Sequence, residues 1–342
     1  VREQHDVPLS GLTTLRLGGP ARRLVVAESD DEVVDTVRAA DAAGEPLLVL
    51  GGGSNVVVGD SGFDGTVVQV ATRGVEVAAE AEHTLQLEAG VDWDHAVALA
   101  VDEGYAGIEA LSGIPGRVGA APIQNVGAYG QEVAQTFARA RVLDRRTGDV
   151  VELGLPECRF GYRDSVFKHT DRYVVLAVAL TLEHSRLGAP VRYAELARRL
   201  GVEVGDRVPA TEVRAAVLEL RRGKGMVLDP TDHDTWSAGS FFTNPVLGPE
   251  EAAALPEGAP RWPAGDGRVK TSAAWLIEQA GFRKGHGDGA ARVSTKHTLA
   301  LTNRGTAGAE DLLALAREIR AGVQERFGVT LVNEPVLVGV RL

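Results

Sequence analysis

Five consecutive residues, Gly51-Gly52-Gly53-Ser54-Asn55, follow directly on the apolar run Leu47-Leu48-Val49-Leu50. The run is short and comes after Gly44 and Pro46, which predicts a buried strand ending at Leu50. Glycines at a strand's end let backbone N–H groups approach a ligand with no Cβ in the way, and the usual occupant of such a concavity is a phosphate or pyrophosphate. Ser54 and Asn55 add side-chain donors. The loop is not a P-loop, because no Gly-Lys-Ser/Thr follows. It is not a G-x-G-x-x-G fingerprint either, because that spacing is absent and the next segment, Val56-Val57-Val58, is β-like. A tight turn between two strands is the plainer alternative.

A second glycine-rich stretch runs from Leu111 to Gly119 and on through Pro122 to Gly130. It holds Ser112, Gly113, Ile114, Pro115, Gly116 and Gly119, then Gln124, Asn125, Gly127, Ala128 and Tyr129. So much glycine is costly for a mere connector, because glycine loses the most backbone entropy on folding. Backbone lying against a large flat ligand explains it. Two separated glycine loops suit a long ligand with two ends, such as a flavin dinucleotide; two unrelated turn-rich segments are the alternative.

Further along, Arg159-Phe160-Gly161-Tyr162-Arg163-Asp164-Ser165 places two arginines beside a tyrosine, a pattern that holds carboxylates through paired donors. Taken alone, it reads as surface charge with an aromatic neighbour. Ser237-Ala238-Gly239-Ser240-Phe241-Phe242-Thr243-Asn244-Pro245 sets a hydroxyl before two phenylalanines, at an apolar spot where a serine can deliver a proton. No G-x-S-x-G elbow is present, so a triad nucleophile is a poor reading, and a capped turn with core phenylalanines is the bland one. Glu334, beside the expected strand Val329 to Val332, is either a partly exposed edge residue or a tuned acid. The eight histidines show no metal-ligand spacing, and Cys158 has no cysteine partner, so no metal site is expected.

These groups need elements to hold them. Ser29-Asp30-Asp31-Glu32 is a capping box opening a helix toward Gly44. Strands are expected at Thr66 to Val70, Thr84 to Glu88 and Arg172 to Leu182, with a hairpin of Arg139 to Asp144 and Asp149 to Leu153 about Thr147-Gly148. Helices are expected over Asp92 to Glu103, Thr211 to Arg222, Ala273 to Ala280 and Glu310 to Phe327, the last closed by Gly328. Pro245 to Pro263 and Gly281 to Gly289 read as surface loops. Strands and helices mix without a regular βαβ rhythm, so the fold class is α+β.

At 342 residues the chain is long enough for two or three domains. A net charge of −11 argues against a nucleic-acid surface. No apolar run is long enough to span a bilayer and no leader pattern opens the chain, so a cytoplasmic protein with no membrane partner is expected. A monomer is the default expectation, because no interface pattern stands out.

Taken together, the segments resemble the UDP-N-acetylenolpyruvoylglucosamine reductases. The resemblance covers nearly the whole chain: Thr13-Thr14-Leu15-Arg16-Leu17-Gly18-Gly19, the Gly51 loop, Gly113 to Gly130, Arg159 to Ser165, Ser237 to Pro245 and Glu334. The stretch Arg159 to His169, together with Tyr193, looks like the subclass with an extra loop closing over the substrate. The resemblance implies an FAD-binding fold of the type shared with vanillyl-alcohol oxidase. The implied division is residues 1–70 joined by 325–342 as one FAD-binding domain, 71–222 as a second, and 223–324 as the substrate-binding domain.

It also implies that hydride passes from NADPH through FAD to the enolpyruvyl ether of a UDP-sugar, UDP-N-acetylglucosamine enolpyruvate. FAD would lie along Leu50 to Asn55 and the second glycine loop. Arg163 matches the residue stabilising negative charge on the substrate, Ser240 the proton donor and Glu334 the assisting acid. Tyr162, Tyr193, Lys224 and Asn244 match positions on the substrate side. The family pattern near the last acid usually reads Glu-Pro-Glu-Val; here Val332-Asn333-Glu334-Pro335-Val336 stands in its place, with Glu334 still in register counted from Phe327-Gly328. The competing readings are a flavoprotein of similar fold with another substrate, and a flavin-binding protein without catalysis.

Overall fold

The computed structural model describes residues 1–77 and 83–342. The chain forms two compact units. The first comprises Val1–Val7, Ala21–Gly52 and Asp64–Gly223; the second comprises Pro8–Pro20, Gly53–Phe63 and Lys224–Leu342.

In the first unit, Ser29 caps the helix Asp30–Ala43 by accepting the Glu32 N–H, and Gly44 ends it in the left-handed region. That helix delivers the strand Leu47–Leu50, paired in parallel with Thr66 to Gln69 of the strand Phe63–Val70. These two strands belong to a four-stranded sheet in the order Arg2–Pro8, Pro20–Ala27, Phe63–Val70, Leu47–Leu50. A second, antiparallel sheet has the order Asp149–Gly154, Phe137–Asp144, Tyr173–Thr181, Thr84–Glu88, Val75–Val77. The hairpin about Thr147-Gly148 is present, with Asp144 opposite Asp149. The core gathers Val68, Leu87, Leu143 and Leu180 from the two sheets, Val33, Val37, Trp93 and Val97 from the helices Asp30–Ala43 and Trp93–Asp102, and Leu111 from the start of the second glycine-rich stretch. A smaller cluster of Val191, Leu196, Val213 and Val217 joins the helices Ala194–Leu200 and Ala210–Gly223.

The second unit is organised by the helix Ala309–Phe327, whose stripe of Leu312, Ala316, Ile319 and Val323 is buried and which Gly328 closes. Against it pack Leu15, Val57, Phe241, Phe242, Leu276 and Val293. The strands Val56–Val58 and Val336–Val338 pair in parallel, and Ala291–Val293 pairs with Leu301–Asn303.

Two expectations are corrected. Val329 to Val332 forms no strand; the closing strand is Val336–Val338, after Glu334 rather than before it. The β-branched run finds only an isolated bridge, Asn333 to Phe242, because Pro245 stops the facing segment from extending a ladder. The stretch Pro245 to Pro263 is also more than a surface loop. It holds the helix Pro249–Ala254 and the short strands Val246–Leu247 and Trp262–Pro263, and it buries Leu247, Ala252, Leu255 and Ala259. Pro249 at the first helical position, with Glu251 accepting the Gly248 N–H, starts that helix. Among the described residues, no helix is long and apolar enough to cross a membrane.

Candidate active site

The strand Leu47–Leu50 ends directly in the first glycine loop, and the chain passes from the first unit to the second between Gly52 and Gly53. A Cβ on Gly52 would stand 2.8 Å from Gly116 Cα, and one on Gly51 would stand 3.4 Å from Arg117 Cβ. The two glycine loops, far apart in sequence, are therefore packed on each other in the first unit. Gly53 is left-handed at φ +59°, and a Cβ there would fall 2.0 Å from the Leu12 carbonyl oxygen. The loop's carbonyls are engaged: Thr14 N–H donates to Gly53 at 3.0 Å and Val336 N–H to Asn55 at 2.9 Å. Among the described residues, no protein acceptor takes the N–H of Gly51, Gly52, Gly53 or Ser54. Consecutive unclaimed amides, three of them on glycines with no side chain to screen them, fit the pyrophosphate of a dinucleotide such as FAD.

The second loop is held by its own surroundings. Ser112 is buried and its Oγ donates to the Glu109 carbonyl at 2.6 Å. Gly113 and Gly116 take φ of +70° and +134°, values that favour glycine, on either side of Ile114 and Pro115. Gly119 packs against Ala89, where a Cβ would meet Ala89 Cβ at 2.5 Å. Beyond Gln124, the Asn125 side chain serves the protein. Its Nδ2 donates to Glu132 Oε2 at 3.0 Å and to the Gly161 carbonyl at 3.1 Å, and its Oδ1 accepts the Ala134 N–H at 2.9 Å. Gly127 and Ala128 pair with Glu132 and Gln131 in a tight ribbon that carries Tyr129. Burial pushes the Tyr129 phenol up to about 12, so it stays protonated.

The ribbon also gathers residues expected on the substrate side. Arg163 donates from Nη2 to the Gly127 carbonyl at 2.7 Å and from Nη1 to the Asn125 carbonyl at 3.4 Å, and its guanidinium lies 5.5 Å from the Tyr162 ring centre. Tyr193 meets Tyr129 edge to face at 5.6 Å. Arg163, Tyr162, Tyr193, Asn125, Gly127 and Tyr129 therefore come together within the first unit.

The second unit assembles the rest. Gly239 is left-handed at φ +72° and turns the chain before Ser240. The Phe241 N–H then donates to the Leu299 carbonyl at 2.7 Å, and the Phe241 carbonyl accepts the Glu334 N–H at 2.8 Å. Glu334 is thus fixed by backbone to the residue next to Ser240. Phe241 and Phe242 are buried and packed edge to face, each burial contributing roughly 1.5–3 kcal/mol. Ser240 is half-buried, and among the described residues its hydroxyl has no hydrogen-bond partner. Thr14 ties this segment to the first glycine loop, its Oγ1 donating to the Ser237 carbonyl at 2.7 Å. Asn55 Nδ2 reaches the Glu334 carbonyl at 3.4 Å. Asn244 accepts the Ala273 N–H at 3.0 Å, and Lys224 begins the unit's last segment, Lys224–Leu342.

Two well-placed residues escape sequence reasoning: Asp94, at the start of the helix Trp93–Asp102, and its partner Arg214 on Ala210–Gly223. A carboxylate in a first helical turn reads as ordinary helix chemistry, and nothing in the chain marks an arginine so far downstream as its partner. Among the described residues, no group of His, Cys, Asp or Glu could hold a metal ion.

Residues 21–154 match the family described as the FAD binding domain. With the paired glycine loops and the α+β fold, this defines the chain as an FAD-containing oxidoreductase. Residues 229–338 match the family described as the C-terminal domain of UDP-N-acetylenolpyruvoylglucosamine reductase. The chain is 62% identical over its whole length to the enzyme of that name from Streptomyces coelicolor, covering 92% of it. It is 58% identical to the one from Thermobifida fusca, over 99% of this chain and 98% of the relative. A crystal structure of UDP-N-acetylenolpyruvylglucosamine reductase from Thermus caldophilus superposes with a TM-score of 0.69 at 28% identity, over 98% of this chain and 99% of that one. The chain belongs to the UDP-N-acetylenolpyruvoylglucosamine reductase family.

Proposed function

We propose that the protein reduces UDP-N-acetylglucosamine enolpyruvate to UDP-N-acetylmuramate with NADPH, a step in peptidoglycan precursor synthesis. The observation that carries the catalytic assignment is the Ser240 hydroxyl: among the described residues it has no hydrogen-bond partner, it is backed by buried phenylalanines and it is next to the residue that anchors Glu334. FAD, held along Leu50 to Asn55 and Ser112 to Tyr129, would supply the hydride-transfer chemistry that links NADPH to the methylene carbon of the enolpyruvyl group. Ser240 gives its proton to the adjacent carbon, completing addition of hydride and proton across the double bond, and recovers a proton from solvent. A serine is a weak acid in water, so this step needs a strongly basic carbon and an environment that excludes water, which Phe241 and Phe242 favour.

Arg163 stabilises the charge that spreads into the substrate carboxylate, and Glu334 is the assisting acid. The carbonyls of Asn125 and Gly127 hold the Arg163 guanidinium in place. Tyr162, Tyr193, Lys224 and Asn244 hold the diphosphate and sugar. The amides of Gly51 to Asn55 hold the FAD pyrophosphate, and Leu50 with Ser112 to Tyr129 line the cofactor. Residues 1–70 with 325–342 and residues 71–222 serve FAD, and 223–324 serve the sugar nucleotide. The protein works in the cytoplasm as a monomer, without nucleic-acid or membrane partners, in support of cell-wall growth and division.

The deciding experiment gives the FAD-loaded protein NADPH with and without the enolpyruvyl sugar nucleotide. Sustained NADPH consumption only in its presence supports the assignment. Equal consumption in its absence, or none in either case, refutes it.

A further inference from the structure

The second glycine loop is framed by the segment that opens one helix. The indole Nε1 of Trp93 donates to the Leu111 carbonyl at 3.1 Å, and its backbone N–H donates to the Gly116 carbonyl at 3.1 Å. Asp92 bridges Arg117, and the Val118 N–H donates to the Val91 carbonyl at 2.9 Å. Between these contacts, Asp94 Oδ1 accepts the Gly113 N–H at 2.6 Å. The contact to Gly113 is made by an ionisable side chain. The same carboxylate is gripped by Arg214, with Nη1 to Oδ1 at 2.6 Å and Nη2 to Oδ2 at 3.0 Å. This two-pronged geometry is the strong form of the pair.

Burial raises the cost of the Asp94 charge. The Arg214 fork, the Gly113 N–H and the charges of Arg214 and Arg221 outweigh that cost and hold the carboxyl below its ordinary range. The first turn of the helix also favours a carboxylate. Gly113 is left-handed at φ +70°, so with its N–H tied down the peptide plane entering the loop has one orientation. Pro115 carries no N–H, which leaves Ile114 and Gly116 as the donors at the loop's tip, and Gly116 is the residue packed against Gly52.

We propose that Asp94 is a positioning residue for the cofactor, acting through Gly113 to hold the second glycine loop in its FAD-receiving shape, with Arg214 keeping the carboxylate in place. The proposal rests on the reading of Ser112 to Tyr129 as FAD-contacting backbone. A preorganised loop gives up less freedom on binding than one that must be ordered by its ligand.

The test titrates the apoprotein with FAD, followed by flavin fluorescence, beside the visible spectrum of the bound flavin and the melting temperature of the apoprotein. Asp94→Ala is expected to raise the FAD dissociation constant about tenfold, or about 1.4 kcal/mol, and to change the shape of the bound-flavin band. Asp94→Asn keeps an acceptor for Gly113 and is expected to recover most of the affinity, to within about threefold of wild type; Arg214→Met, which keeps the carboxylate, is expected to behave alike.

FAD binding by Asp94→Ala within about twofold of wild type overturns the proposal. So does equal loss of FAD in Asp94→Ala and Asp94→Asn together with lowered melting of both apoproteins, which would make the contact a matter of stability alone. If Asp94→Ala does not fold, the double variant Asp94→Asn with Arg214→Met, which loses both the charge and the grip on it, decides: a dissociation constant raised about fivefold or more with an altered flavin band supports the proposal, and binding within about twofold of wild type overturns it. Wild-type protein that takes up no FAD would instead overturn the cofactor reading itself, and this proposal with it.

Discussion

The second glycine loop and the Ser240 segment are built on opposite plans. In the loop, side chains are either absent or used up within the protein: Asn125 makes three hydrogen bonds to its surroundings, Ser112 Oγ is bonded to Glu109, and Gly113 is tied to Asp94. What remains to meet a ligand is backbone of fixed shape. In the Ser240 segment the backbone of Phe241 is engaged at both ends, by Leu299 and Glu334, while among the described residues the Ser240 hydroxyl has no partner. A cofactor that stays bound is served by shape, whereas a proton transfer needs a side chain kept free for it. Substitutions in the two regions should therefore fail in different ways.

The largest effect is expected at the free hydroxyl. Ser240→Ala should lower turnover by about 10²–10⁴, the range for losing a positioned general acid, with FAD retained at wild-type stoichiometry. Arg163→Ala should lower turnover by about 10²–10³ with the flavin still bound; loss of flavin would move Arg163 to the cofactor side of the comparison. Gly52→Ala should show the reverse pattern. Its new Cβ would lie 2.8 Å from the Gly116 Cα, and backbone cannot give way cheaply. FAD affinity should fall about tenfold, while turnover at saturating FAD stays near wild type.

A smaller effect concerns acid. Burial raises the Asp234 carboxyl, but hydrogen bonds from Thr295 and Ser294 and the charge of Arg304 outweigh it, so its folded value lies below the ordinary one. A depressed folded value means that the stabilisation is present above the unfolded value and is lost as pH falls through the folded one. The melting temperature should therefore drop below about pH 4, and Asp234→Asn should flatten that acid limb relative to wild type. The smallest effect is at Cys158, which is buried and whose thiol is pushed up to about 12 by that burial. Native protein should resist alkylation there until it is unfolded, as read by mass spectrometry.

Much of this was legible in the chain because it is written locally. Ser29 with Glu32, Asp92 before Trp93, and Gly328 after Phe327 mark helix ends by their own chemistry, and each helix lies where those residues put it. The two glycine loops could be read as one site because glycine on that scale has few other uses. What could not be read was pairing at a distance. Val329 to Val332 has the composition of a strand, but whether it becomes one depends on its partner, and Pro245 limits that partner. Asp94 and Arg214 show the same limit: each residue is unremarkable until the fold joins them at 2.6 Å.

The central claim is that Ser240 serves proton delivery and nothing before it. Two half-reactions of Ser240→Ala, measured anaerobically by the visible flavin band, test this directly. Bleaching of the bound flavin by NADPH should proceed within about threefold of the wild-type rate, while its reoxidation by the enolpyruvyl sugar nucleotide should slow by about 10² or more. Reoxidation at the wild-type rate, or a bleaching step slowed as much as reoxidation, would contradict the assignment.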